Sequence, residues 1–359
     1  MSKRAFNFNP GPAVLPLPAL ERARDEFMDF AGTGMSVLET SHRSKDYEAV
    51  HNEAKALIAE LLGLTPDYHV VFVGGGASLQ FAMVPMNLLG AGKSADYVIT
   101  GSWSKLAIKE AKILGAPKVA ATSEPDGFTY IPTKLTLDPN ATYVHITTNN
   151  TIYGTQYHAF PDTGSVPIVA DMSSDIMWRP IDVKPFGLIY AGAQKNMGPA
   201  GVTVVIIRDD LLKKCKEGLP TMLSYATHVE KESLYNTCPV FPIYMVRNVL
   251  AWVKEQGGLA AMEKHNRKKG DLLYGALDAD PDFFRGPVRK DSRSFMNVVF
   301  RLPNEDLEAA FISEAKKLGM VGLKGHRSVG GIRASMYNAL PFEAVQTLVN
   351  FMQDFRKRH

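Results

Sequence analysis

The chain has 359 residues, 45% hydrophobic and 21% charged, enough for two ordinary globular domains around sizeable cores. A formal net charge of only +3, with no basic run interleaved with aromatics, argues against a nucleic-acid surface. No apolar run is long enough to span a bilayer. The amino terminus, with Lys3 and Arg4, lacks a signal-peptide core, and Cys215 and Cys238 follow no metal or redox spacing, so a cytoplasmic enzyme in a reducing compartment is expected.

In chain order, Pro18 opens a predicted helix over 18–30, and helical spacing of Tyr47, Val50, Ala54, Leu57, Ile58 and Leu61 predicts a second over 44–62, stopped by Gly63. A strand at 70–73 runs into Gly74-Gly75-Gly76 and a helical pattern through Leu88. A helix over 104–114 ends at Gly115. Strands are then expected at 118–121, 143–147, 168–171, 187–191 and 202–207. This alternation predicts an α/β sheet with helices on both faces. A long helix over 241–256 ends at Gly257-Gly258. Beyond it come a helix at 259–277, a strand at 295–300, a helix at 305–318, a strand at 331–336 and a closing helix at 341–355, the pattern of a smaller α+β domain.

Three places in this frame carry chemistry. Lys195 follows the apolar strand at 187–191 in a turn of small residues, with no other charge between Lys184 and Arg208. A lysine in such a low-dielectric setting loses its proton readily and becomes a nucleophile toward aldehydes. A plain surface lysine is the alternative reading. Asp171 ends the apolar run 166–171, so it leaves the carboxyl edge of the same sheet, where open α/β sheets bind ligands; a helix cap is the competing role. An amine and a carboxylate at one sheet edge are what pyridoxal phosphate requires, one for its aldehyde and one for its ring nitrogen. The glycine turn at 74–76 can bring backbone amides onto a phosphate, but it is also compatible with a simple strand-to-helix turn. Two His-Arg pairs, His42-Arg43 and His326-Arg327, with Arg333 close behind, suit a substrate with an anion at each end, or are surface charge.

Together with these places, segments 7–13, 41–45, 74–81, 101–104, 149–154, 170–174, 194–196, 236–237 and above all 324–335 resemble the phosphoserine aminotransferases over nearly the whole chain. That family is the class-V branch of the fold-type I enzymes that use pyridoxal 5'-phosphate. The resemblance implies an α/β fold-type I transferase: a mostly parallel mixed sheet flanked by helices, plus a smaller α+β domain. The implied division is a large cofactor-binding domain at 16–258 and a small domain made of 1–15 and 259–359.

The resemblance also implies roles. Lys195 would bind the cofactor aldehyde and move the substrate proton, and Asp171 would pair with the ring nitrogen. Trp103 would stack on the ring, and Thr151 would bond its phenolic oxygen. Gly76, Ala77 and Gln194 would hold the cofactor phosphate, with Asn236 and Thr237 reaching in from the neighbouring subunit of a homodimer. Arg333 would take the substrate α-carboxylate. His42, Arg43, His326 and Arg327 would read phosphate or the glutamate side chain, and Asn9 would add a weak polar contact. The implied reaction is a ping-pong exchange in which glutamate becomes 2-oxoglutarate and 3-phosphohydroxypyruvate becomes O-phospho-L-serine, in serine biosynthesis. Family members often serve pyridoxine biosynthesis as well.

Rival readings rest on particular residues. A cysteine desulfurase needs a cysteine on a mobile loop facing the cofactor, which neither Cys215 nor Cys238 suits. An alanine–glyoxylate transaminase has no use for two His-Arg pairs. A nucleotide-dependent oxidoreductase using the turn at 74–76 would lack its acidic ribose partner. A silent carrier of the cofactor has no need of both Lys195 and an anion cluster.

Overall fold

The protein is represented by a computed structural model describing residues 4–90 and 92–359; Lys3, named above with Arg4, lies outside them. Seven short runs, mostly apolar, form the central sheet: β1 (Tyr68–Val73), β2 (Asp96–Ile99), β3 (Lys118–Thr122), β4 (Val144–Thr147), β5 (Ile168–Asp171), β6 (Phe186–Gly192) and β7 (Thr203–Arg208). Their order is β1-β7-β6-β5-β4-β2-β3. Only β7 runs antiparallel to its neighbours, so the sheet is mixed but mostly parallel. Helices cover both faces, so every residue of β2, β4, β5 and β6 is buried, including the polar His145 and Thr147 that alternate with Val144 and Ile146 in β4. The parallel register sets Thr147 beside Asp171, so the carboxyl ends of β4, β5 and β6 open toward one edge.

Helices α1 (Leu17–Asp25), α2 (Lys45–Leu62), α3 (Gly76–Leu88), α4 (Ser102–Leu114) and α5 (Val240–Glu255) pack around this sheet. Helix α2 starts where Ser44 accepts a hydrogen bond from Tyr47 N, with Asp46 and Glu48 in the first turn, and it stops at Gly63. Helix α1 is shorter than the expected 18–30. The Asp29 carboxylate accepts from Gly34 N at 2.7 Å, and Phe30 N donates to Met35 O at 2.8 Å, so a side-chain-closed turn outcompetes helix continuation. Strand β2 was not expected. It is four residues long and opens on Asp96, whose carboxylate receives Asp138 N at 2.6 Å.

A second apolar core lies beside the sheet. The antiparallel pair β8 (Asn297–Phe300) and β9 (Ile332–Ser335) packs with α6 (Gly258–Ala279), α7 (Glu305–Lys317) and α8 (Phe342–Arg358) around Phe300, Phe311 and Phe355. The amino-terminal residues join it: Phe6–Asn7 pairs in parallel with Met320–Val321, and Phe8 and Val14 are buried there. Helix α6 bridges the two cores, giving Leu259 and Met262 to the first and Leu273 and Leu277 to the second. Among the described residues, no helix is long and apolar enough to cross a membrane.

Candidate active site

Lys195 sits in the turn after β6, where Met197 N and Gly198 N both close on Ala193 O at 3.1 and 2.8 Å. Its Nζ donates to Thr151 Oγ1 at 2.8 Å. Burial pushes the amine down to about 8; Asp171 resists that shift, Arg333 adds to it, and Asp175 resists it. Asp171 is buried at the end of β5. It does not cap a helix, because residues 173–177 form turns and no helix follows; its Oδ1 instead accepts from Ser173 N at 2.9 Å. Burial raises its pKa, while Ser173 and, more weakly, Lys195 favour its charged form. Behind them Asp175 accepts from Thr148 Oγ1 and from Gln156 Nε2 (3.1 Å), and burial pushes it up to about 6.

The glycine turn supplies the far wall. Gly75 has φ +81°, and a Cβ there would lie 2.6 Å from Leu79 Cβ, so only glycine lets the chain enter α3 at this angle. Gly76 and Ala77 then present the first turn of a 13-residue helix, whose unpaired N–H groups and dipole favour an anion. Together these elements enclose a cleft of roughly 270 Å³, lined among others by Gly76, Ala77, Trp103, Thr151, Asp171, Gln194, Lys195, His326 and Arg333. Trp103 is half-buried, and its Nε1 has no hydrogen-bond partner among the described residues.

Arg333 reaches the cleft from β9 in the second core. Its Nη1 donates to Thr151 O at 3.3 Å, while its buried Nε has no partner among the described residues. Residues 325–331 fold back before β9: Gly325 N donates to Gly331 O and Gly330 N to His326 O, each at 2.8 Å. This places His326 against the cleft. Burial lowers its pKa, and Arg333 and Arg327 push the same way.

Other expected residues lie elsewhere. Arg327 and Asn9 are exposed and do not line the cleft. His42 and Arg43 stand at the start of α2, with Arg43 Nε donating to His42 Nε2 at 3.3 Å, also outside it. Asn236 and Thr237 are exposed and border a second hollow behind the glycine turn, with Gly74, Gly75 and Cys238. Within one chain, then, the second His-Arg pair contributes its histidine to the cleft and the first pair contributes nothing. The cleft also holds residues not singled out from the sequence, notably Thr147, whose buried Oγ1 has no partner among the described residues. Its place in the cleft follows from its register opposite Asp171, which no local pattern reveals.

The family model for class-V aminotransferases matches residues 5–348. The chain is 60% identical over 359 residues to the phosphoserine aminotransferase of Desulfosudis oleivorans, with 99% of each chain covered. The solved structure of the phosphoserine aminotransferase from Bacillus circulans subsp. alkalophilus superposes with a TM-score of 0.97 at 56% identity, with both chains fully covered. The pyridoxal-phosphate-bound phosphoserine aminotransferase of Trichomonas vaginalis gives 0.93 at 40% identity, over 98% of this chain and all of that one. A lysine and an aspartate lining one cleft, in a fold and sequence shared at this level over the full length, leave one assignment: the chain belongs to the phosphoserine aminotransferase family of class-V aminotransferases.

Proposed function

We propose that this protein carries out reversible, ping-pong transamination between L-glutamate and 3-phosphohydroxypyruvate, yielding 2-oxoglutarate and O-phospho-L-serine, with pyridoxal 5'-phosphate in the cleft. The observation that carries the proposal is the partly buried Lys195 amine, 2.8 Å from Thr151 Oγ1 and sharing one cleft with Asp171 and Arg333. The residues present fit the cofactor. Trp103 Nε1, Thr147 Oγ1 and Arg333 Nε are buried polar atoms without partners among the described residues, and the first turn of α3 is an anion cradle on the same cleft.

When bound, pyridoxal phosphate supplies an aldehyde that takes up amines covalently and a ring that accepts electrons from the substrate α-carbon. The protein's residues do the rest. Lys195 Nζ, its pKa lowered by burial, takes the α-proton and returns it at the other carbon. Asp171 pairs with the ring nitrogen and keeps it protonated, its charge favoured by Ser173. Trp103 stacks on the ring and Thr151 bonds its phenolic oxygen, while Gly76, Ala77 and Gln194 hold the phosphate. Arg333 binds the α-carboxylate. His326 and Arg327 read the distal anion, phosphate in one half-reaction and carboxylate in the other.

The reading includes a homodimer. Asn236, Thr237, His42 and Arg43 all lie outside the cleft of their own chain; Asn236, Thr237 and Arg43 are exposed, which suits residues that complete a partner's site, while His42 is buried beside Arg43 just before α2. It includes a division into a large domain at 16–258 and a small one at 1–15 with 259–359, supported by the two apolar cores and by the burial of Phe8 and Val14 in the second. It also includes a cytoplasmic location, supported by the free thiols of Cys215 and Cys238.

The test is the visible absorbance of the cofactor-loaded protein before and after O-phospho-L-serine, with L-alanine as control. Bleaching by phosphoserine alone is the expected outcome. Bleaching by alanine alone would keep the cofactor and discard the substrate, and a protein that never takes up pyridoxal phosphate would overturn the reading.

A further inference from the structure

Asn236 and Thr237 are carried by residues 231–239, between the short helix Tyr225–Glu230 and α5. This connection contains two consecutive non-glycine residues in the left-handed region, Glu232 at φ +54° and Ser233 at φ +63°. Side chains adopt that conformation only where the surroundings over-determine it, and such strain concentrates at sites that need a fixed loop.

The surroundings come chiefly from one face of α2. Tyr47, His51 and Lys55 are four residues apart and therefore stack along the helix. His51 Nε2 lies 2.8 Å from Glu232 O, and Lys55 Nζ pairs with the Glu232 carboxylate. Tyr47 Oη lies 3.4 Å from His51 Nδ1 and 3.0 Å from Cys238 Sγ. Donor and acceptor roles follow from the carbonyl. His51 Nε2 must donate to Glu232 O, so in the neutral imidazole Nδ1 accepts from the Tyr47 hydroxyl, and Tyr47 Oη in turn accepts from the Cys238 thiol. Burial, which lowers the His51 pKa, favours that neutral form. From the other side, Phe72 N on β1 donates to Ser233 Oγ at 2.8 Å, tying the connection to the strand that feeds the glycine turn.

We propose that Tyr47, His51 and Lys55 are positioning residues. They lock the strained connection so that Asn236 and Thr237 are presented, preformed, to the cofactor phosphate in the partner subunit. Because His42 and Arg43 immediately precede the same helix, α2 would deliver the cofactor-phosphate contacts and the substrate-anion contacts as one rigid piece. The inference rests on the cross-subunit reading given above.

The experiment is a double-mutant cycle on cofactor affinity, measured by absorbance titration of the cofactor-free full-length protein with pyridoxal phosphate. The variants are Tyr47→Phe, Asn236→Ala and the double variant. Tyr47→Phe removes one hydroxyl and keeps the buried ring. It should weaken cofactor binding by about tenfold, the order expected for one hydrogen bond lost at a distance. Asn236→Ala should weaken it at least as much. The double variant should be weaker than Asn236→Ala by clearly less than the loss Tyr47→Phe causes alone, because Tyr47 acts only through the connection that carries Asn236 and Thr237.

Additive losses would assign Tyr47 a general structural role and overturn the inference. A loss with Asn236→Ala but none with Tyr47→Phe would overturn it while leaving the cross-subunit reading intact. No loss with Asn236→Ala would overturn both. Should Tyr47→Phe fail to fold, Lys55→Met, which removes only the partly exposed ion pair to Glu232, enters the same cycle with the same expected non-additivity.

Discussion

Burial does more to Lys195 than any single neighbour, and the direction of the effect sets a pH dependence. The folded pKa is lowered to about 8, so the neutral, nucleophilic amine predominates above that value and is lost as pH falls. Capture of pyridoxal phosphate by the cofactor-free protein should therefore accelerate about tenfold per pH unit below 8 and level off above it. Stopped-flow absorbance reads this directly. A rise that continues to the ordinary lysine range would mean that the amine is not buried as described. Arg327 makes a different case. It is exposed and lies outside the cleft of its own chain, so nothing in the fold depends on it. Arg327→Ala should raise the half-saturating phosphoserine concentration by about tenfold or more, the loss of a charge-assisted contact, and leave cofactor loading unchanged. Equal losses in steady-state kinetics and in cofactor titration would move Arg327 out of the substrate site.

At the scale of elements, the connection 325–331 is the one most dependent on its backbone. A methyl at Gly325 would overlap Gly330 O, and Arg301, braced by Glu308 at 2.5 Å, donates to Val329 O at 2.9 Å across the same loop. Gly325→Ala must open the loop that carries His326. The expected result is a phosphoserine KM raised by about tenfold or more, with the cofactor's visible band retained. An unchanged KM would show that the loop does not position the anion readers. The same scale shows what could be read from the chain alone. Helix α2 was legible because its apolar spacing and its Gly63 stop agree, and the structure adds Ser44 as the cap that begins it. The run of β5 into Asp171 was legible for a similar reason: a carboxylate closes an otherwise apolar segment. Strand β2 was not, since four residues opening on an aspartate carry no period, and the end of α1 was not, since the Asp29–Gly34 hydrogen bond is a side-chain choice. The pairing of Phe6–Asn7 with Met320–Val321 joins the two ends of the chain, and no local pattern encodes it. In the site, Lys195, Asp171 and the glycine turn stood out as strand ends. Thr147 needed the β4–β5 register before it could be seen.

At the scale of the molecule, the cleft lies where the two cores meet. Lys195 and Asp171 come from the sheet, while Arg333 and His326 come from β9 and the loop before it. Asn338 N donates to Asn196 Oδ1 at 3.0 Å and Asn338 Nδ2 donates to Met177 O at 2.8 Å, so the segment after β9 is bonded across the seam to the residue beside Lys195 and to the turn after β5. Besides Asn9 and Arg327, one chain does not bring His42, Arg43, Asn236 or Thr237 to its own cleft. If a partner supplies them, each site of the dimer takes its lysine from one chain and His42-Arg43 from the other. Lys195→Ala and Arg43→Ala homodimers should then both be nearly inactive toward phosphoserine. A heterodimer of the two has one site with both residues intact and one with neither. Random re-association of equal amounts makes half the dimers mixed, so activity should recover to about one quarter of the wild-type level per site. No recovery above the separate homodimers, once mixed dimers are verified by mass, would place Arg43 in the same subunit's site as Lys195 or outside the site altogether.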